Sequence, residues 1–308
     1  MEAKLSKITT SHSDGLSFVK MHGLGNDFVI MDGRVGPGAA ASTRALLPSF
    51  VRAVANRRWG VGCDQLIVLR DGQPGLADIF MEIYNADGGN AKMCGNAARC
   101  VGALLFQQDG KHHHVIETDS GLLDTEYLED GRVRVDMGRA RFDWRDIPLR
   151  DAHDTNAVPV AVNGLDLPTG VAVSMGNPHL ILFVEDCQLL PLDVIGRSLG
   201  SNPLFPEGIN IGLAQCLSKT HLHLRTWERG SGATLACGTN ACAAAVAACR
   251  RNLTDRNVHV TMDGGTLDIE WLADDHVMMT GNTAISYKGI IPQDQARAWQ
   301  APPSPPPS

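Results

Sequence analysis

Met93-Cys94-Gly95-Asn96-Ala97-Ala98 recurs as Ala236-Cys237-Gly238-Thr239-Asn240-Ala241 almost half the chain further on, and any fold has to accommodate both copies. Each Cys-Gly pair opens an alanine-rich stretch that predicts a helix. Other landmarks repeat in the same order. Gly25-Asn26-Asp27-Phe28-Val29-Ile30 resembles Gly176-Asn177-Pro178-His179-Leu180-Ile181, and a polar residue ends a strand-like run nine positions before each motif cysteine, Asn85 in one half and Glu228 in the other. Three matched landmarks predict an internal duplication with drifting spacing, whose period is far longer than that of a solenoid.

Short apolar or alternating runs bounded by Gly, Asp, Asn and Pro read as strands. In the first half they fall at residues 18–21, 28–31, 66–69, 79–84, 115–118, 122–127 and 133–137. In the second they fall at 158–162, 170–174, 180–184, 210–215, 221–227, 258–262, 266–271 and 277–280. Helices are predicted at 43–56, 96–108, 192–199 and 239–250. The strands are too closely spaced for βαβ crossovers throughout, so the fold class is α+β with mainly antiparallel sheet. The helix from Thr239 carries Ala, Cys and Val on nearly every face, the mark of a buried helix. A curved sheet wrapped around a central helix in each of two similar domains satisfies that. The halves are expected at 17–138, with 284–292 returning to it, and at 139–283; residues 1–16 and 293–308 are expected to be flexible tails.

With 44% hydrophobic and 20% charged residues the composition is that of a soluble globular protein. A net charge of −7 argues against a nucleic-acid surface, which needs clustered Lys and Arg. No run approaches the roughly 20 apolar residues of a membrane helix, and the first sixteen residues lack the apolar region of a secretory signal. The eight cysteines include no Cys-x-x-Cys pair, which favours free thiols in a reducing cytoplasm. The oligomeric state is not fixed by the sequence, and a homodimer is compatible with it. His112-His113-His114 reads as an exposed loop or strand start, because three adjacent residues of a strand do not face one ion; no metal site is predicted.

A cysteine at a helix start meets unpaired backbone N–H groups and a positive partial charge, which favour its thiolate. The following glycine lets a ligand approach the backbone, and the same N–H groups hold a carboxylate. Two such elements suit stereoinversion at the α-carbon of an amino acid. One thiolate removes the α-proton, the other thiol protonates the opposite face, and the helix N–H groups stabilise the enediolate-like intermediate.

The residues carrying these features resemble the diaminopimelate epimerases from about Phe18 to Ile291. The likeness includes His22-Gly23-Leu24-Gly25-Asn26-Asp27-Phe28, Gly60-Val61-Gly62-Cys63-Asp64-Gln65, Asn85-Ala86-Asp87-Gly88 and Met93-Cys94-Gly95-Asn96. It continues through Gly176-Asn177-Pro178-His179, Trp227-Glu228-Arg229-Gly230 and Ala236-Cys237-Gly238-Thr239. The resemblance implies interconversion of LL- and meso-2,6-diaminopimelate without pyridoxal phosphate, metal or other cofactor, serving lysine and peptidoglycan precursor synthesis. It also implies a site in the cleft between two α+β domains, with Cys94 and Cys237 as acid and base. Asn26, Gln65, Asn85, Asn177 and Asn210 then line the site, and Glu228 and Arg229 hold the distal amino-acid end. Gly95-Asn96 and Gly238-Thr239 grip the reacting carboxylate, while His179 and Glu228 support catalysis near the thiols. Ala97 and Asn240 depart from the family's usual glycines, Gly89 from a frequent serine and Ala233 from a frequent glutamate.

Two other readings stand beside this one. Proline racemases and hydroxyproline epimerases use paired thiols on a similar fold, but Asn96 occupies a position where they carry histidine. A non-catalytic binding or metal protein is the other.

Overall fold

The computed structural model describes residues 15–34 and 46–300. The described residues divide into two compact units, one formed by residues 15–34, 46–133 and 283–300 and the other by 134–282.

In the first unit, strands β1 (Gly15–Gly23) and β2 (Asn26–Asp32) form a hairpin closed by Leu24-Gly25. Both turn residues have positive φ, 58° and 83°, the primed turn that matches strand twist. Helix α1 (Pro48–Ala55) leads into β3 (Gln65–Asp71), which runs parallel to β2 with Gln65 opposite Phe28. Strand β4 (Ile79–Asn85) returns antiparallel to β3, placing Asn85 across from Gln65. After β5 (Asn90–Ala91) comes helix α2 (Gly95–Asp109). It stops at Gly110, whose left-handed φ of 76° turns its N–H onto the Phe106 carbonyl. Strand β6 (His113–Thr118) lies parallel to β4, and β7 (Gly121–Tyr127) pairs antiparallel with β6. Helix α2 packs on β1, β6 and β7.

The second unit repeats this pattern. It contains β8 (Val133–Arg139), β9 (Val171–Ser174) and β10 (Pro178–Phe183), then α3 (Leu192–Gly200), β11 (Asn210–Ser218), β12 (His221–Glu228) and β13 (Gly232–Thr234). Helix α4 (Gly238–Arg250) and β14 (Asn257–Met262), β15 (Gly265–Trp271) and β16 (His276–Gly281) complete it. Strand β10 is parallel to β11, β11 antiparallel to β12, and β12 parallel to β14, the order seen for β2, β3, β4 and β6. Helix α4 is buried from Asn240 to Ala248 because strands from β9 to β16 surround it. An Ala, Cys and Val helix has no polar face to leave in water.

The chain then returns to the first unit. Strand β17 (Ala284–Pro292) pairs antiparallel with β1, and α5 (Gln293–Gln300) follows, its Trp299 ring edge-on to Phe50 of α1. Among the described residues no helix is long and apolar enough to cross a membrane.

Several expectations need correction. Residues 293–300 are not a loose tail but helix α5, and Gly15 and Leu16 already belong to β1. The rest of both expected tails, and the start of the helix predicted at 43–56, lie outside the described residues. The strand predicted at 158–162 does not form. Val158 and Val162 make only isolated bridges, to Gly170 and Leu165. The first half does not extend to residue 138, because β8 pairs with β16. Arg134 is bonded to Glu270 and Asp136 to His276, which fastens β8 into the second unit.

Candidate active site

In the first unit the site is built outward from one oriented amide. Asn26 opens β2, and its Nδ2 donates to Asp64 Oδ2 at 3.0 Å. Its Oδ1 therefore faces the start of α2, where it accepts from Asn96 Nδ2 at 3.2 Å and lies 3.9 Å from the Cys94 sulfur. Asp64 is itself fixed. Arg57 bridges it to Asp27, 2.7 Å from each carboxylate, while Lys20 reaches Asp27 at 2.6 Å and the Gly62 carbonyl. Burial opposes ionisation of Asp27, but the hydrogen bonds from Arg57 and Lys20 outweigh it and hold the carboxyl well below its ordinary range. Gln65 donates through Nε2 to Asn85 Oδ1 at 2.9 Å. Its own Oε1 and Asn96 Oδ1 are buried acceptors that no donor among the described residues meets, the kind of atom that a bound ammonium satisfies.

The second unit places the matching residues around Cys237. Asn177 precedes β10, with Nδ2 3.4 Å from Thr239 Oγ1 and Oδ1 2.9 Å from His179 Nε2. Thr239 Oγ1 is 3.5 Å from the Cys237 sulfur. Glu228 ends β12, accepts from Thr234 Oγ1 at 2.7 Å and lies beside the thiol. Asn210 is committed to the backbone: Nδ2 donates to the Pro178 carbonyl at 3.0 Å and Oδ1 accepts from the Arg229 N–H at 2.9 Å. It orients rather than offers itself to a ligand. Arg229 is exposed, and its guanidinium donates to the Glu207 carbonyl at 2.7 Å.

Both motif cysteines occupy the position just before their helix in extended conformation, Cys94 at φ −149° and Cys237 at φ −135°, and neither side chain caps the helix. Gly95 and Gly238 are the first residues of α2 and α4, so their N–H groups are among those a helix start leaves unpaired. The expectation that this position brings both thiols toward physiological pH fails for Cys237. Burial pushes this thiol well above its ordinary value and the Glu228 carboxylate pushes the same way, outweighing the bonds from Thr239 and the Asn240 backbone. Residues that sequence reasoning missed as site components are Asp64, which orients Asn26, Thr234, which holds Glu228, and Asn240, whose Nδ2 donates to the Ile211 carbonyl at 2.9 Å. The duplication carries a signal for Asn240: it matches Ala97, just as His179 matches Phe28.

Comparison with known proteins agrees with this architecture. The family profile "Diaminopimelate epimerase" matches residues 18–143 and 171–285. The diaminopimelate epimerase of Erythrobacter litoralis is 48% identical over 276 residues, covering 90% of this chain and 97% of its own. That of Rhodospirillum centenum is 46% identical over 274 residues, covering 89% and 91%. A solved hydroxyproline epimerase from Agrobacterium vitis shares the fold at TM-score 0.64 with 14% identity, over 92% of this chain and 94% of its own. The chain is thus an isomerase that inverts a stereocentre. Within that class it belongs to the diaminopimelate epimerase family.

Proposed function

We propose that Cys94 and Cys237 are the acid/base pair of a cofactor-independent exchange between LL- and meso-2,6-diaminopimelate. The reaction follows from family membership. The mechanism is supported by one observation above all: each unit sets a thiol immediately before a buried helix whose first residue is glycine. In one direction a thiolate takes the α-proton and becomes a thiol, while the second thiol gives its proton to the opposite face and becomes a thiolate. The two sulfurs finish with their roles exchanged. Carbanion charge spreads into the reacting carboxylate, and the N–H groups at Gly95-Asn96 and Gly238-Thr239 receive it.

Asn26, Gln65, Asn85 and Asn177 supply amides to the substrate's polar groups, with Asn210 holding Arg229 in place. Glu228 and Arg229 take the ammonium and carboxylate of the distal end. His179 and Glu228 tune the sulfur of Cys237. Chemistry that needs reduced thiols suits a cytoplasmic setting.

The test is exchange of solvent deuterium into the α-position of LL-diaminopimelate, with L-proline as control. Wild type is expected to exchange the first and not the second, and Cys94→Ala and Cys237→Ala each to abolish epimerisation. Full turnover by either single variant rules out the two-thiol scheme.

A further inference from the structure

We propose that Asp64 is a positioning residue for Cys94. Its carboxylate fixes the Asn26 side chain with the amide oxygen toward the sulfur, so this amide holds the thiol and not the thiolate.

The two ends of an amide have nearly the same shape, but a carboxylate tells them apart because it only accepts. Arg57 donates to Asp64 Oδ1 at 2.7 Å, and the Asp27 backbone N–H donates to Oδ2 at 3.0 Å. The end of Asn26 that lies 3.0 Å from Oδ2 is therefore its NH2. Asn26 Oδ1 is then the end that meets α2, 3.2 Å from Asn96 Nδ2 and 3.9 Å from the Cys94 sulfur. An amide oxygen accepts from a thiol and repels a thiolate.

Both partners are held in place. The Asp64 N–H donates to the Asp27 carboxylate at 2.8 Å and to the Asp27 carbonyl at 3.0 Å, while the Asp27 N–H returns a bond to Asp64. Asn26 pairs with Gly23 across the hairpin, and a Cβ on Gly23 would come 3.0 Å from the Arg99 guanidinium and 3.5 Å from the Asn96 carbonyl. The hairpin end thus rests directly on the first turn of α2. Other charged or titratable groups at this corner include His22, Lys20, Asp27 and Arg57, with Arg99 and Cys100 from α2.

The duplication shows that the fold does not require this carboxylate. Gln65 lies opposite Phe28, and Asn210 lies opposite His179, so Asp64 of the first unit matches Ile209 of the second. Ile209 is buried and has no group to orient Asn177. The exchange runs the other way at the ends of β4 and β12, where the first unit has Asn85 and the second Glu228. Each unit thus sets a carboxylate against its thiolate. Glu228 acts on Cys237 by its own charge, and Asp64 acts on Cys94 through the dipole that it orients.

The catalytic meaning of this device rests on the two-thiol reading; the amide direction does not. The test is NMR of the full chain carrying nitrogen-15 in its asparagine side chains, without substrate, together with the pH profile of iodoacetamide alkylation at Cys94 read by mass spectrometry. In wild type the Asn26 NH2 protons are expected to show Overhauser contacts to the Asp64 β-protons and none to those of Cys94. Asp64→Asn is expected to lower the Cys94 alkylation midpoint by about half a pH unit. Arg57 then claims the oxygen of the new amide, and the NH2 left facing Asn26 turns that side chain over. Asp27→Asn takes the same charge from the clamp but leaves Asp64 on Asn26, so its shift should be smaller. An Asn26 NH2 directed at Cys94 in wild type overturns the proposal. So does a folded Asp64→Asn protein whose midpoint matches that of wild type or of Asp27→Asn. Should Asp64→Asn not fold, the wild-type contacts alone decide. No arm reads turnover, so a failure of the two-thiol scheme, seen in Cys94→Ala, stays distinct from a failure here.

Discussion

Glu228 stands against Cys237 with its carboxylate pinned by the Thr234 hydroxyl, so a fixed negative charge adds to burial in keeping the proton on sulfur. Glu228→Gln keeps the shape and removes the charge. The Cys237 alkylation midpoint is expected to fall, because a like charge that disfavours the thiolate has gone. Glu228→Asp should leave a midpoint nearer to wild type. An unchanged midpoint in Glu228→Gln would show that the sulfur does not sense this carboxylate.

His179 gives stability a pH dependence of defined sign. Its folded-state value is pushed down to about 3 by burial, against an ordinary 6.5, so below 6.5 the unfolded chain takes up a proton that the folded chain refuses. Its contribution is complete above 6.5 and is lost as pH falls from there toward 3, at about 1.4 kcal/mol per pH unit. His179→Phe, which copies Phe28 of the first unit, removes this dependence while lowering stability overall through the stranded Asn177 amide. Urea unfolding of both proteins from neutral pH downward should show wild type losing its advantage at about that slope. Parallel curves would show that His179 is protonated in the folded state.

Fold and site were legible to different depths. The helix starts were visible because Cys-Gly followed by an alanine-rich run admits few other structures, and the strands because buried runs such as Phe28-Val29-Ile30 lack polar residues. The partner of β8 was not visible: Val133, Val135 and Met137 give the alternation of a strand but say nothing about which neighbour it takes. Helix α5 escaped because Gln293–Gln300 is polar apart from Ala296, Ala298 and Trp299, and the purpose of Trp299 shows only against Phe50 of α1. The Cys237 thiol was misjudged because a helix start is a local feature, whereas the burial and the Glu228 charge that outweigh it come from tertiary packing. Asn240 read only as a departure from glycine until its side chain was seen to donate to the Ile211 carbonyl of β11.

Helix α3 sits on Trp227 with no room to spare. A Cβ at Gly196 would come 2.2 Å from Trp227 Cδ2 and 2.4 Å from Cγ, so Gly196→Ala must displace the ring. Overpacking of this kind costs about 1–3 kcal/mol. Trp227 directly precedes Glu228 and Arg229, so KM for diaminopimelate should rise along with the loss of stability. Gly200→Ala is the control, since its Cβ meets Trp227 only at 4.0 Å. Equal melting temperatures for the two variants would mean that the Gly196 contact carries no strain.

Lys20 is only 6% exposed, and its ammonium is shared between Asp27, at 2.6 Å, and the Gly62 carbonyl. Lys20→Met leaves Asp27 charged and partly buried, with Arg57 as its remaining cation. Removing one partner of a buried pair costs about 3–5 kcal/mol, and Arg57 keeps the loss toward the lower end. Arg57→Ala should cost less, about 1 kcal/mol, because that side chain is 57% exposed and water replaces much of what it gives. Adding Asp27→Asn to Lys20→Met removes the stranded charge and should recover part of the loss. Denaturant unfolding of wild type, Lys20→Met, Asp27→Asn and the double variant completes the cycle. Strict additivity of Lys20→Met and Asp27→Asn would show that the two charges do not hold each other, and that the Asp64 clamp on Asn26 stands without them.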